Sequence, residues 1–115
     1  MSVVDNATHL RWQREAHRIL DRFLDAALAC GLPAITWTIP TSGSLVGDVD
    51  GLTSTPAEQR RVFEAWVRHL GATVWPERTD SDGIVHLYAR FEVAAQPAGA
   101  ICADITPTGE GGDRS

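Results

Sequence analysis

Apolar residues recur every three or four positions along the N-terminal part of the chain, and this spacing predicts a helix from Thr8 to Cys30. Gly31 follows as the residue type that most easily takes the left-handed conformation at a helix end, and Pro33 prevents further helix. The residues before the helix are expected to fray. The buried stripe is expected to consist of Trp12, Ala16, Ile19, Leu20, Phe23, Ala27 and Leu28.

A second helix is predicted to begin at Thr55, which has the properties of an N-cap. Pro56 suits the first helical position, and Glu58 completes a capping box with Thr55. Gly71 is the expected end of this helix. Its expected buried face consists of Val62, Phe63, Trp66, Val67 and Leu70.

Alternation with a period of two predicts five strands, at residues 34–39, 45–49, 72–77, 84–93 and 100–106. Asp48 and Asp50, next to glycines, indicate that the second strand is weak or lies at an edge. Pro76 indicates an edge or a bulge in the third. A hairpin loop is expected at 79–83, and a turn at 96–99. In the fourth strand, the core face is expected to carry Val85, Leu87, Ala89, Phe91 and Val93.

The predicted element order is α-β-β-α-β-β-β, which indicates an α+β fold. Short connections between strands favour a mostly antiparallel five-stranded sheet, with both helices on one face. Residues 1–106 are expected to form a single domain, and the Gly-rich residues 107–115 a disordered tail.

The chain of 115 residues carries a formal net charge of −5, which disfavours general binding to nucleic acid or anionic lipid. No basic and apolar leader opens the sequence, and no apolar run approaches the ~20 residues of a membrane span. A cytoplasmic location without membrane partners is therefore expected. Cys30 and Cys102 have no metal-ligand spacing, and we expect both to be reduced and buried.

All ten basic residues are arginines. Four of them share the side of the first helix opposite the apolar stripe, namely Arg11, Arg14, Arg18 and Arg22. This ridge could bind phosphates or an acidic partner. The simpler interpretation is a solvated face, because pairs such as Glu15–Arg18 and Arg22–Asp25 would neutralise much of its charge.

The outer face of the predicted sheet carries a second candidate surface, made of Trp75, Ile84, His86, Tyr88 and Arg90. An aromatic patch there could stack on the bases of single-stranded RNA or form the centre of a protein interface. The negative net charge of the chain favours the protein interface. His86 beside a carboxylate such as Glu77 could perform acid–base chemistry, although a cross-strand polar row is the commoner explanation.

Motifs for catalysis and cofactors are not found in the sequence. Two Asp-Gly loops, at 48–51 and 80–83, resemble fragments of a calcium loop but lack its first and twelfth ligands. Neither a nucleophile elbow nor a phosphate-binding glycine loop is present. We therefore predict no cofactor, no metal and no enzyme activity.

The run from Phe63 to Ala72 places Trp66 four residues before Leu70-Gly71, and a strand, an Asp-Gly hairpin and two further β segments follow. This pattern, over roughly residues 45–106, resembles a group of short uncharacterised proteins that are common in actinobacteria, their phages and mobile elements. The resemblance implies a small accessory protein, encoded by a phage or another mobile element, and transfers no catalytic residue.

The sequence favours a non-catalytic protein-interaction or regulatory module that associates through the outer sheet face, most simply as a homodimer. The alternative is a nucleic-acid-binding accessory protein that uses the arginine ridge or the aromatic sheet face. A third hypothesis is a small-ligand binder or an enzyme around His86.

Overall fold

A computed structural model describes residues 5–49, 55–93 and 96–106 of the chain. In chain order its elements are α1 (Asn6–Cys30), β1 (Thr36–Thr38), β2 (Leu45–Val49), α2 (Pro56–Leu70), β3 (Thr73–Val74), β4 (Arg78–Thr79), β5 (Val85–Val93) and β6 (Gln96–Ile105). Two helices and one sheet confirm the α+β class. The expected tail at 107–115 lies outside the described residues.

Both helices end at the predicted glycines and α2 begins at its predicted cap, whereas α1 begins at Asn6, two residues before the predicted Thr8. Asp5 caps α1, and Thr55 and Glu58 form the predicted capping box of α2 at 3.1 and 3.2 Å. Gly31 and Gly71 close the two helices with positive φ angles of 72° and 64°. A side chain is strained at such angles, which is why glycine ends both helices.

One mixed sheet of six strands is formed by the described residues, in the order β1-β2-β6-β5, with β3 and β4 both paired to the outer side of β5. Four of its pairings are antiparallel, but β2 and β6 run parallel. Two expectations are therefore corrected: the sheet has six strands rather than five, and β2 lies inside the sheet rather than at its edge. The edges of the sheet are β1 on one side and β3 with β4 on the other.

The third strand, predicted at 72–77, is shortened to Thr73–Val74, because proline at position 76 cannot donate a ladder hydrogen bond. The additional strand β4 follows the predicted range and takes Thr79 from the hairpin loop expected at 79–83. The expected turn at 96–99 is wrong, since β6 already begins at Gln96. Pro97 lies opposite Glu92, where the register between β5 and β6 shifts, and a bulge of this kind tolerates proline inside a strand.

The core lies between the helices and one face of the sheet. Its centre is a series of aromatic rings in contact. The ring centroid of Trp37 lies 5.5 Å from that of Trp66 and 6.3 Å from that of Phe91. The centroids of Phe23 and Phe91 are 5.5 Å apart. Phe23 belongs to α1 and Trp66 to α2, so both helices cover the same face, as predicted. The buried indole nitrogen of Trp66 donates to the carbonyl oxygen of Pro33 at 2.8 Å.

Three residues expected in the core are exposed. Leu28 is 83% exposed, because it lies about 100° around the helix from the buried Ala27. Trp12 is 42% exposed and lies against the turn at Gly43, which connects β1 to β2. Cys30, at the end of α1, is exposed as well.

Replacement of Trp66 by Ala should lower the free energy of unfolding by about 3–5 kcal/mol, because it leaves a large cavity and removes the bond to Pro33. Trp12→Ala is the matched control: it removes the same side chain from an exposed position and should cost far less. Urea titration measures both. Equal losses for the two variants would contradict the packing described here.

Thr55→Ala should destabilise the protein by about 1 kcal/mol through loss of the N-cap acceptor. Because Thr55 and Glu58 bond reciprocally, Glu58→Ala should cost less in the Thr55→Ala background than in the wild type. A double-mutant cycle by thermal unfolding measures this difference. Strictly additive losses would argue against a coupled box.

Candidate binding surface on the open sheet face

The sheet face opposite the helices, which we call the open face, carries side chains in registered rows. One row runs Thr38, Val46, Ala100, Arg90 and Thr73. The next row runs Thr36, Asp48, Cys102 and Tyr88, and Trp75 extends it by donating its backbone N–H to the Tyr88 carbonyl at 2.9 Å. A third row contains Asp104, His86 and Arg78. These rows bring together residues that lie far apart in the sequence.

An aromatic corner stands at the outer side of this face. The rings of Trp75 and Tyr88 meet edge to face, with centroids 5.1 Å apart, and Trp75 is 49% exposed. Together with Pro76 and Cys102 they border a groove of about 540 Å³. The other residues at this groove are Arg78, His86, Leu87 and Asp104. A groove of this size fits a side chain or a short segment of a binding partner.

His86 is bonded to a carboxylate on each side. Its Nδ1 lies 2.7 Å from Oδ1 of Asp104, and its Nε2 lies 2.9 Å from Oδ2 of Asp80. A neutral imidazole has one N–H, whereas an imidazolium has two and donates to both carboxylates at once. The arrangement therefore favours the charged histidine, and bonds to Asp80 and then Asp104 raise the pKa of His86 above its usual value.

The hydrogen bond between His86 and Asp80 also fixes the hairpin loop to the sheet. The bond from His86 lowers the pKa of the Asp80 carboxyl, which also accepts backbone N–H groups from Ile84 and Asp82. On the other side of the sheet, the buried Gln59 donates to the Asp104 carbonyl at 3.1 Å. The loop, β5 and the end of β6 are thus joined by hydrogen bonds, which keep His86 from acting freely as a base.

Of the five residues predicted for this surface, Trp75, His86 and Tyr88 border the groove. Arg90 is exposed in the neighbouring row, and Ile84 is half-buried where the hairpin enters β5. Glu77, considered as a partner of His86, instead pairs with Arg60 of α2 at 2.5 Å.

Sequence reasoning missed Asp80, Asp104 and Cys102 as neighbours of His86. The alternation in β6 contained part of the signal, because the apolar Ile101, Ala103 and Ile105 are buried and the residues between them therefore face outward. Burial raises the pKa of the half-buried Cys102 thiol, and the carboxylates of Asp48 and Asp104 raise it further. The thiol is therefore held in its protonated, weakly nucleophilic form.

The four arginines of the ridge all lie exposed on α1. Arg18 pairs with Glu15 at 2.5 Å as expected, and Arg11 donates to the Thr8 hydroxyl at 3.2 Å. The expected pair of Arg22 with Asp25 is not formed among the described residues. An open depression of about 700 Å³ lies beside this part of the helix. Among the described residues, Arg18 is therefore the ridge arginine that pairs with a carboxylate.

The chain matches no protein-family model, and no curated protein or solved structure is significantly similar to it. The resemblance to small actinobacterial and phage proteins therefore stays a prediction. In the described part of the chain, neither helix has the length and apolar character that crossing a membrane requires.

The pKa of His86, followed by NMR of its ring carbons, should lie above that of an unfolded-chain histidine, and Asp80→Asn should lower it. Asp82→Asn is the matched control, since it removes a charge from the same loop without breaking a bond to the ring. An equal effect of the two variants would show that the direct bond is unimportant.

The contribution of His86 to the free energy of unfolding should decrease as the pH rises. Because folding raises the pKa of His86, its contribution is complete below the unfolded-state pKa and disappears as pH rises through the folded-state pKa. At acid pH a different loss sets in. The pKa of Asp80 is lowered by folding, so its contribution to stability is lost as the pH falls through its folded-state pKa. The difference in unfolding free energy between wild type and His86→Gln should therefore shrink in alkaline solution.

Proposed function

We propose that this protein is a non-catalytic interaction module that binds a protein partner through the open face of its sheet. One observation carries the proposal: Trp75 stands half-exposed against Tyr88 at a groove on the side of the sheet that the helices leave uncovered. Tryptophan, tyrosine and arginine are the residues that most often dominate the energy of protein interfaces. A regulatory role, or a role in a phage or mobile element, would be exercised through such a contact.

A protein partner is favoured over nucleic acid by the charges on this face. Asp48 and Asp104 are exposed there and would repel a phosphate backbone, although Arg78 and Arg90 lie nearby. Trp75 and Tyr88 meet at an interplanar angle of 76°, so they form a corner rather than two parallel platforms for successive bases. The arginine ridge lies on α1, in the helical layer on the opposite side of the sheet.

The hypothesis of an enzyme or small-ligand site around His86 has less support. Both ring nitrogens of His86 are bonded to carboxylates of the chain, so neither faces a substrate as a free base. The adjacent Cys102 thiol is held protonated. These contacts suit a rigid surface better than a reacting centre.

Site-specific photo-crosslinking in the producing cell tests the proposal. A benzophenone amino acid in place of Trp75 should give one discrete protein adduct, either with a second copy or with another protein. The same amino acid in place of Leu28, the most exposed of the large apolar residues on α1, is the matched control and should give none. Tyr88→Glu should abolish the adduct by placing a charge in the contact.

Three outcomes would contradict the proposal. The first is the absence of any adduct from position 75. The second is an equal yield from position 28, which would show that exposure alone determines crosslinking. The third is an adduct that nuclease removes, which would assign the open face to nucleic acid.

A further inference from the structure

We infer that Asp80, His86 and Asp104 form a pH-sensitive latch on the open face, in which a charged histidine holds both carboxylates and a neutral histidine releases Asp104. The three side chains come from the hairpin loop, β5 and β6, and two of them, His86 and Asp104, border the groove. The role of the latch in binding rests on the proposed function, because it regulates the same surface.

The two carboxylates of the latch are held to different degrees. Oδ1 of Asp80 accepts the backbone N–H groups of Asp82 at 2.9 Å and Ile84 at 3.1 Å, which leaves Oδ2 facing Nε2 of His86. Asp80 is therefore kept beside the ring by its own loop. Within the described residues, the Asp104 carboxylate contacts Nδ1 of His86, and its side chain is 71% exposed. This carboxylate is the one that can turn away into solvent.

Loss of a proton from His86 acts on these two contacts unequally. A neutral imidazole has one N–H, so its other ring nitrogen presents a lone pair to a carboxylate oxygen, and the two repel each other. The repulsion is relieved by movement of the carboxylate that no other group holds. Nε2 therefore keeps the proton and donates to Asp80, whereas Nδ1 loses its proton and Asp104 turns away.

His86 is the group of this cluster whose charge changes closest to neutral pH. The other charged or titratable groups around it are Asp82 of the loop, Arg78 on β4, Tyr88 and Arg90 on β5, and Cys102 on β6. The two arginines keep their charge, and the raised pKa of the Cys102 thiol keeps it protonated. The change in the latch therefore follows the protonation of the imidazole.

Release of Asp104 changes what the groove offers to a partner. When His86 is charged, its N–H groups and the Asp104 carboxylate satisfy one another. When it is neutral, the carboxylate and the lone pair of Nδ1 both accept hydrogen bonds from outside, beside Trp75 and Tyr88. A partner that donates hydrogen bonds there binds more tightly above the pKa of His86, by about two- to fivefold, the contribution of an exposed ion pair.

NMR of the purified full chain tests the latch without a partner. At a pH where both rings are neutral, the proton of His86 should lie on Nε2. That of His9 should lie on Nδ1, because the Thr41 carbonyl oxygen 3.0 Å away can only accept, so His9 is an internal control. Three-bond couplings should show the Asp104 side chain averaging over rotamers at this pH, while Asp80 keeps one rotamer.

His86→Gln is the matched variant for this experiment. Glutamine does not titrate near neutral pH, so the rotamers of Asp104 should no longer change between acid and alkaline solution. A proton on Nδ1 of neutral His86 would overturn the latch. The same holds if the Asp104 side chain keeps one rotamer while His86 is neutral.

Photo-crosslinking from position 75 connects the latch to binding. In extracts of the producing cell, the adduct should increase by about two- to fivefold from below to above the pKa of His86, and Asp104→Asn should remove this increase. An adduct of constant yield would show that the latch does not regulate binding. The absence of an adduct at every pH would count against the proposed function, whereas the NMR experiment decides on the latch itself.

Discussion

The close parallel pairing of β2 with β6 determines which residues share each face of the sheet. At Gly99 a Cβ atom would stand 2.1 Å from the Leu45 carbonyl oxygen and 2.7 Å from the Phe91 ring, so no other residue fits without a shift of the backbone. This contact places Asp48 beside Cys102 and moves β1 to the edge. The exposed carboxylate of Asp48 lies in the row of Cys102 and Tyr88 because of that pairing.

Both helices use the apolar side of this sheet, and the aromatic contacts among Phe23, Trp37, Trp66 and Phe91 hold them there. An arrangement of two layers leaves the other side of the sheet without a cover. That side is not uniformly polar, since it combines aromatic, small and charged residues in registered rows. The same packing that forms the core therefore produces the surface that we propose for binding.

Much of the fold follows from local sequence signals. The caps at Thr55 and Gly71 and the alternation through β5 predict their elements correctly, because each depends on neighbouring residues only. Periodicity gives the face of a residue but not its partner strand, so the parallel pairing of β2 could not be predicted. For the same reason, Trp75 and Tyr88 were placed on one surface, whereas the carboxylates of Asp80 and Asp104 at His86 were missed.

Dilution of isotope-labelled protein, followed by NMR, tests most directly whether the open face is a surface of self-association. If the open face self-associates, the backbone amide signals of Asp48, Tyr88, Arg90 and Cys102 should shift with concentration, while those of the exposed α1 residues Arg22 and Leu28 should stay constant. Shifts confined to α1, or none on the open face at high micromolar concentration, would contradict it.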